Sequence, residues 1–260
     1  MRRLAIVAPV FVVALVAAGD ARADDPSAEE LAKKTLEHDT FGFEGTRMRA
    51  RLLLTDGDGT EQDRAFDAIS KKSDGSLIKS VVRFSSPSSV AGTAFLMVQH
   101  DGAPDEQYIY LSRMKTTRRI GGTGEREGSF MGSDFTYADL ERKDLRDATY
   151  ARIGEETVGR DDCFLLEATP RSSRGYARIV LSIRERDYVP LRIKWYARSD
   201  GQLEKTMSTR KVAIVGGHPV VTESHTENAR THHSTDLVVD DVELAPDIDD
   251  SEFTPAALSH

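Results

Sequence analysis

The sequence predicts a mainly β chain, an antiparallel meander that curls into a barrel or half-barrel. Three observations lead there. Apolar and polar residues alternate with period two in run after run, turn-forming glycine and aspartate separate those runs at short intervals, and only one amphipathic helical pattern stands beside them. No rhythm of strands and long helices suggests a parallel sheet. A dozen strands in one sheet curl, which reduces their exposed edges.

Residues 1–23 read as a cleaved signal peptide: a basic Met1-Arg2-Arg3, an apolar stretch from Leu4 to Ala18, and an Ala21-Arg22-Ala23 cleavage signal. The apolar stretch is short for a membrane span. The reading is an exported protein of the periplasm, with residues 24–260 as one domain and no composition break to divide it. The 260-residue chain holds 35 basic and 43 acidic residues; without Arg2, Arg3, Arg22 and Asp20, 32 and 42 remain, a net charge of −10. That balance argues against a nucleic-acid partner and against adhesion to anionic lipid by charge, so membrane contact is expected to be transient. Cys163 is the single cysteine, which rules out an intramolecular disulfide and suggests a buried, inert thiol.

Taken in order, Ser27 and Glu30 have capping-box spacing, and Ala28, Leu31, Ala32 and Leu36 share one face of a helix that should lie on the sheet. Met48, Ala50, Leu52 and Leu54 then alternate with Arg47, Arg49 and Arg51 as a half-buried strand. Asp56-Gly57-Asp58-Gly59 turns the chain into a returning arm over Arg64 to Ser70, and Asp74-Gly75 turns it again into Leu77 to Phe84. Two strongly apolar runs follow, around Ala94-Phe95-Leu96-Met97-Val98 and Tyr108-Ile109-Tyr110-Leu111. Further strands are expected near 150–158, 163–169, 176–184, 188–197, 203–215, 220–228 and 234–244. Ala177, Ile179, Leu181 and Ile183 form one apolar row and Val189, Leu191, Ile193 and Trp195 another, with Arg178, Arg184, Arg192 and Lys194 pointing away. The acidic stretch from Asp236 to Glu252 reads as a solvated end.

Between Gly121 and Leu140 lies a segment in which Phe130, Met131, Phe135 and Tyr137 sit among turn residues. That much apolar surface on a loop implies that it packs into something, and closing or lining a hydrophobic cavity is the natural use. One side of the sheet is strongly apolar. Its hollow is either filled by its own side chains or left open as a container for a lipid-like ligand.

Catalytic and metal signals are thin. Ser112-Arg113-Met114-Lys115 matches S-x-x-K but lacks the companion elements of penicillin-recognising enzymes. Gly128-Ser129-Phe130-Met131-Gly132 has its serine in the wrong slot for a nucleophile elbow, and the glycines at 121, 122 and 124 lack a phosphate-loop setting. His218, His225, His232 and His233 show no zinc spacing, and Asp56 to Gly59 lacks the terminal glutamate of a calcium loop. No cofactor and no metal are called for.

Arg83-Phe84, Pro87, Gly92-Thr93, Phe95-Leu96, Tyr110-Leu111, Arg118-Arg119-Ile120 and Ser129-Phe130-Met131-Gly132-Ser133-Asp134-Phe135, followed by Cys163 to Pro170, Tyr176 to Ile183, Pro190 to Tyr196 and Gly201 to Lys205, resemble the outer-membrane lipoprotein-sorting (LolA-like) family of periplasmic carriers. The resemblance implies an unclosed antiparallel β-barrel of about eleven strands, its concave apolar face covered by helices and a loop. It also implies a non-enzymatic carrier of the acyl chains of lipoproteins or other lipids, with an RND-type inner-membrane exporter as a partner of some relatives. The family's helical lid is replaced here by the loop from Gly121 to Leu140. On this reading Phe84, Phe95, Met97, Tyr108, Tyr110, Phe130, Met131, Phe135 and Tyr137 touch or gate the ligand. Arg118 and Arg119 either hold the loop through Asp134 or Asp139, or meet an anionic headgroup. A docking module without cargo, and less readily a hydrolase, are the alternatives.

Overall fold

A computed structural model describes residues 25–37, 45–73, 77–172, 175–245 and 247–259. The signal peptide expected over residues 1–23 and the turn at Asp74-Gly75 lie outside the described residues.

Helix α1 spans Ala28–Glu37. Its first turn is closed in both directions: the Glu30 amide donates to Ser27 Oγ at 3.2 Å, and the Ser27 amide donates to Glu30 Oε2 at 2.9 Å. Leu31 and Ala32 are buried as the spacing predicts, and Thr35 is buried with them. They pack on the sheet beside Ala148, Leu166 and Leu181.

The strands are β1 (Thr46–Thr55), β2 (Glu61–Lys72), β3 (Ile78–Phe84), β4 (Ala94–Val98), β5 (Glu106–Leu111), β6 (Thr116–Arg119), β7 (Ala148–Val158), β8 (Asp161–Pro170), β9 (Tyr176–Arg184), β10 (Pro190–Ala197), β11 (Leu203–Val215), β12 (His218–Asn228) and β13 (Ser234–Leu244). They form a single antiparallel sheet of thirteen strands in the order β6-β5-β4-β3-β2-β1-β13-β12-β11-β10-β9-β8-β7. The count exceeds the expected eleven, but the sheet is unclosed: β6 and β7 are its two free edges.

Two meanders, β1–β6 and β7–β13, are stitched by the β1–β13 pair, which runs from Thr46 opposite Leu244 to Thr55 opposite Ser234 with one bulge at Arg49/Ala50. The sequence supports that seam on both faces. Inward, Met48, Ala50, Leu52 and Leu54 are buried; outward, Arg49 meets Asp241 at 3.0 Å and Arg51 meets Asp240 at 2.8 Å.

The concave face carries two apolar clusters, one per meander. Leu52, Phe66, Val82, Phe84, Phe95 and Ile109 belong to the first, and Leu166, Ile179, Leu181, Ile193 and Trp195 to the second. A register shift between Tyr196 and Ala197 brings Tyr176, rather than Ala177, into the inward row of β9. Arg184, expected to point to water, is buried with Asp187 accepting from its Nε and Nη2, each at 2.8 Å.

The chain end corrects a second expectation. Beyond β13, one-turn helical segments at Asp250–Phe253 and Ala257–Ser259 strap the convex face, where Ile248, Phe253 and Leu258 pack on Val81, Ala94 and Leu96. Arg83 fixes the strap by donating to the carbonyls of Ala257 at 2.8 Å and Leu258 at 3.2 Å. Within the stretch from Asp236 to Glu252, Ile248 is buried, and Phe253 and Leu258 just beyond it are buried with it.

Candidate ligand cavity

The connection from β6 to β7 joins the two outer edges of a curled sheet and crosses its concave face, where Phe130, Phe135, Leu140 and Leu145 stand opposite the inward side chains of the strands. It carries three short helices, α2 (Thr123–Arg126), α3 (Tyr137–Glu141) and α4 (Lys143–Arg146). The lid expected to be a loop therefore contains helical turns. Thr136 caps α3 through a capping box with Asp139. Ahead of it the chain folds back on itself: the Phe130 amide donates to the Phe135 carbonyl at 2.7 Å and the Tyr137 amide to the Gly128 carbonyl at 3.1 Å. Gly132 has φ +80°, and a Cβ there would come within 3.3 Å of the Arg64 guanidinium, so the tight turn requires glycine.

That turn drives Phe130 into the hollow, where its ring centroid lies 5.1 Å from Phe95, 6.0 Å from Phe84 and 5.6 Å from Tyr137. Polar groups tie the connection to both meanders. On the β1–β6 side, Gln107 Nε2 donates to the Tyr137 carbonyl at 2.7 Å, Gln99 Nε2 to the Glu141 carbonyl at 2.9 Å, and Arg146 pairs with buried Asp105. On the β7–β13 side, Lys205 Nζ donates to Asp139 Oδ2 at 2.6 Å and to the Asp134 carbonyl at 2.9 Å. Tyr176 donates its hydroxyl to Asp139 Oδ1 at 2.9 Å, and Thr235 donates its own to Asp134 Oδ2 at 2.7 Å. Burial, with the Asp139 charge adding to it, raises the Tyr176 phenol far above its ordinary value. Glu141 pairs with Arg126, yet burial pushes its carboxyl up to about 7; Arg126 pulls it down and Asp105 pushes it further up.

Under this roof lies a cavity of about 240 Å³. Leu52, Phe66, Val82, Phe95 and Met97 wall it from one meander and Leu181, Ile193, Trp195 and Met207 from the other. Phe130, Phe135, Leu140 and Leu145 close it from above. Its polar lining includes Thr35, Ser80, Asp139, Arg142, Asp144 and Ser224. An apolar cavity of ~150 Å³ stays dry and binds benzene, so this one has room for a larger hydrocarbon.

Of the residues singled out from sequence, Phe95, Met97, Phe130 and Phe135 line the cavity. Phe84 is buried behind them, and Met131 and Tyr137 pack against the same cluster. Tyr108 and Tyr110 lie on the opposite face, under the C-terminal strap, while their neighbour Ile109 faces the hollow. Arg118 pairs with Glu125 at 2.9 Å and not with Asp134 or Asp139, and Arg119 is exposed. Asp134 is held by Thr235 and by His233, whose Nδ1 is 2.7 Å away. His225 meets Asp236 at 2.8 Å. His232 occupies a positive-φ position between β12 and β13. Among the described residues, no three His, Cys, Asp or Glu side chains are grouped to hold a metal. Ser112 Oγ donates to the Ala91 carbonyl at 2.7 Å. The Cys163 thiol is fully buried, and burial raises its pKa.

Sequence reasoning missed Thr35, Arg142, Tyr176 and Lys205. Lys205 offered one signal, its place at the end of the Gly201 to Lys205 segment. Nothing in a strand marks a lysine as inward-facing.

An unclosed thirteen-stranded sheet, roofed by the connection between its own edges, defines the class: this is a LolA-like fold. Residues 77–260 match the model of a family described as "uncharacterized protein", and the chain belongs to that family. Among solved structures it is similar to an outer-membrane lipoprotein-sorting protein domain from Vibrio parahaemolyticus, with 25% identity, a TM-score of 0.82, and coverage of 90% of this chain and 98% of that one. A DUF1329 family protein from Desulfovibrio piger is likewise 25% identical, with a TM-score of 0.81 over 90% of this chain and 100% of that one. A LolA-superfamily protein from Nitrosomonas europaea shares the fold at 19% identity and a TM-score of 0.70, over 88% of this chain and 98% of that one. No curated protein matches the chain.

Proposed function

We propose that this protein is a periplasmic carrier that takes the acyl chains of lipoproteins or other lipids into the cavity and moves them between envelope membranes without covalent chemistry. The observation that carries the reading is the apolar cavity of about 240 Å³ between the two meanders. The similarity to lipoprotein-sorting and LolA-superfamily structures supports it. On this reading residues 1–23 are removed on export, residues 24–260 act as one domain, and membrane contact is transient. An RND-type exporter in the inner membrane is the proposed partner. Each enclosed methylene contributes about 0.8 kcal/mol before ordering costs, which holds a chain in water yet lets a stronger acceptor take it. Among the described residues no helix is long and apolar enough to cross a membrane.

The test is lipid extraction and mass spectrometry of protein purified from a periplasm, paired with uptake of a fluorescent fatty acid. Co-purifying acyl species and saturable uptake are expected. Repeated absence of both would leave a cargo-free docking module, and turnover of ester substrates would leave a hydrolase.

A further inference from the structure

Beside Ser80, Asp139 and Ser224, the polar part of the cavity wall includes a rim between α1 and the α3–α4 turn, where Thr35, Arg142 and Asp144 lie with Leu145. Two observations there point to a ligand's polar end. The first is Thr35, 3% exposed, whose Oγ1 has no hydrogen-bond partner among the described residues. A helical threonine commonly returns its hydroxyl to the carbonyl one turn back, and this one does not. Valine would fill the same space without an orphaned hydroxyl, so packing alone gives no reason for threonine at the cavity wall.

The second is Arg142, a half-buried guanidinium on the same wall that carries donors only. Its backbone is left-handed at φ 52°, where it ends α3, and its Nη1 donates to the Leu36 carbonyl at 3.4 Å, bridging the roof to α1. Arg142 and Asp144 both have partners within the protein, so a ligand would join their network rather than neutralise a bare charge. What a guanidinium and an unpartnered hydroxyl can jointly receive is a group of acceptor oxygens, and ionised oxygens are received best.

We infer that Thr35 and Arg142 form the headgroup site of the cavity, selecting a single-chain amphiphile with an anionic oxygen head, carboxylate or phosphate. The inference rests on the carrier reading and moves the headgroup contact away from Arg118 and Arg119, which lie outside the cavity wall. It makes the cavity a reader of chain ends as well as a container of chains.

The experiment is isothermal titration of the full chain with laurate, lauryl phosphate and lauryl alcohol, which share one tail and differ in the head. Wild type should bind one or both anions about tenfold more tightly than the alcohol. The tighter of the two anions assigns the head to a carboxylate or a phosphate source. In Thr35→Val and in Arg142→Gln that ratio should fall toward one. Lys143→Gln, which removes an exposed cation one residue away and outside the cavity wall, should keep it. Circular dichroism establishes that each variant folds, and if Arg142→Gln does not, Thr35→Val decides alone. Equal affinity of wild type for all three heads, or an unchanged ratio in the folded variants, overturns the headgroup site and leaves the carrier reading intact. Binding of none of the three overturns the carrier reading itself.

Discussion

Lys205 Nζ lies 2.6 Å from Asp139 Oδ2, with the two side chains 2% and 7% exposed. The ammonium is ringed by Trp195, Tyr176 and Phe135 at 5.2, 5.4 and 5.7 Å. Asp139 also caps α3, so one carboxylate organises the roof helix and ties it to β9 and β11.

Removing one partner strands a buried charge. Lys205→Met and Asp139→Leu should each lower the unfolding free energy by roughly 3–5 kcal/mol, while the double variant loses clearly less than the sum. Denaturant titration of the three variants checks this, and simple additivity would show that the two groups are not coupled.

Glu141 gives a pH dependence with a definite sign. Its folded pKa is raised from the ordinary 4.5 to about 7, so the folded chain binds this proton more tightly than the unfolded one does. Its effect on stability should therefore fall as pH rises from about 4.5 to about 7, by on the order of 3 kcal/mol, and be complete above that window. Glu141→Gln should lack the loss. Subtracting the variant's stability curve from that of wild type isolates the group, and parallel curves would refute the assignment.

Filling the cavity should block uptake without unfolding the sheet. Leu237 on β13 lines the cavity and is half-buried. Leu237→Trp should cut fatty-acid affinity at least tenfold, with a Tm within a few degrees of wild type because the added ring occupies empty space. A folded variant that still takes up ligand normally would place the binding site elsewhere.

The C-terminal strap should matter for stability and not for ligand. Phe253 is 5% exposed against the convex face, so Phe253→Ala should cost about 3–5 kcal/mol. Chemical denaturation measures the cost, and laurate titration should show unchanged affinity. Loss of binding in the folded variant would mean that the two faces of the sheet are coupled.

How far the site was legible depended on whether a residue's direction follows from local spacing. Phe95 and Met97 share one face of an all-apolar strand, which the structure turns inward while Ala94 and Leu96 face the strap, and Phe130 sits in a loop too apolar to be solvated. Tyr108 and Tyr110 flank Ile109 in an all-apolar run, where period two leaves open which set points inward; burial under Phe253 and Leu258 settled it. Arg118 and Arg119 drew attention as a pair, but the cations holding the roof are Lys205, Arg126 and Arg146. Each meets an acid far enough along the chain that no local pattern links them.

What the amino-acid order alone determined is whatever repeats within a few residues: the strands, the capped helix α1, the turns, and an aromatic segment that has to pack. The tertiary structure decided everything that needs distant residues to meet. It joined β1 to β13, sent the β6–β7 connection across the open face, folded the acidic end back as a strap and brought Asp139 to Lys205. The physical reason is that strand periodicity specifies two faces without saying which is concave, and only closure of the long-range pairs gives each face its environment.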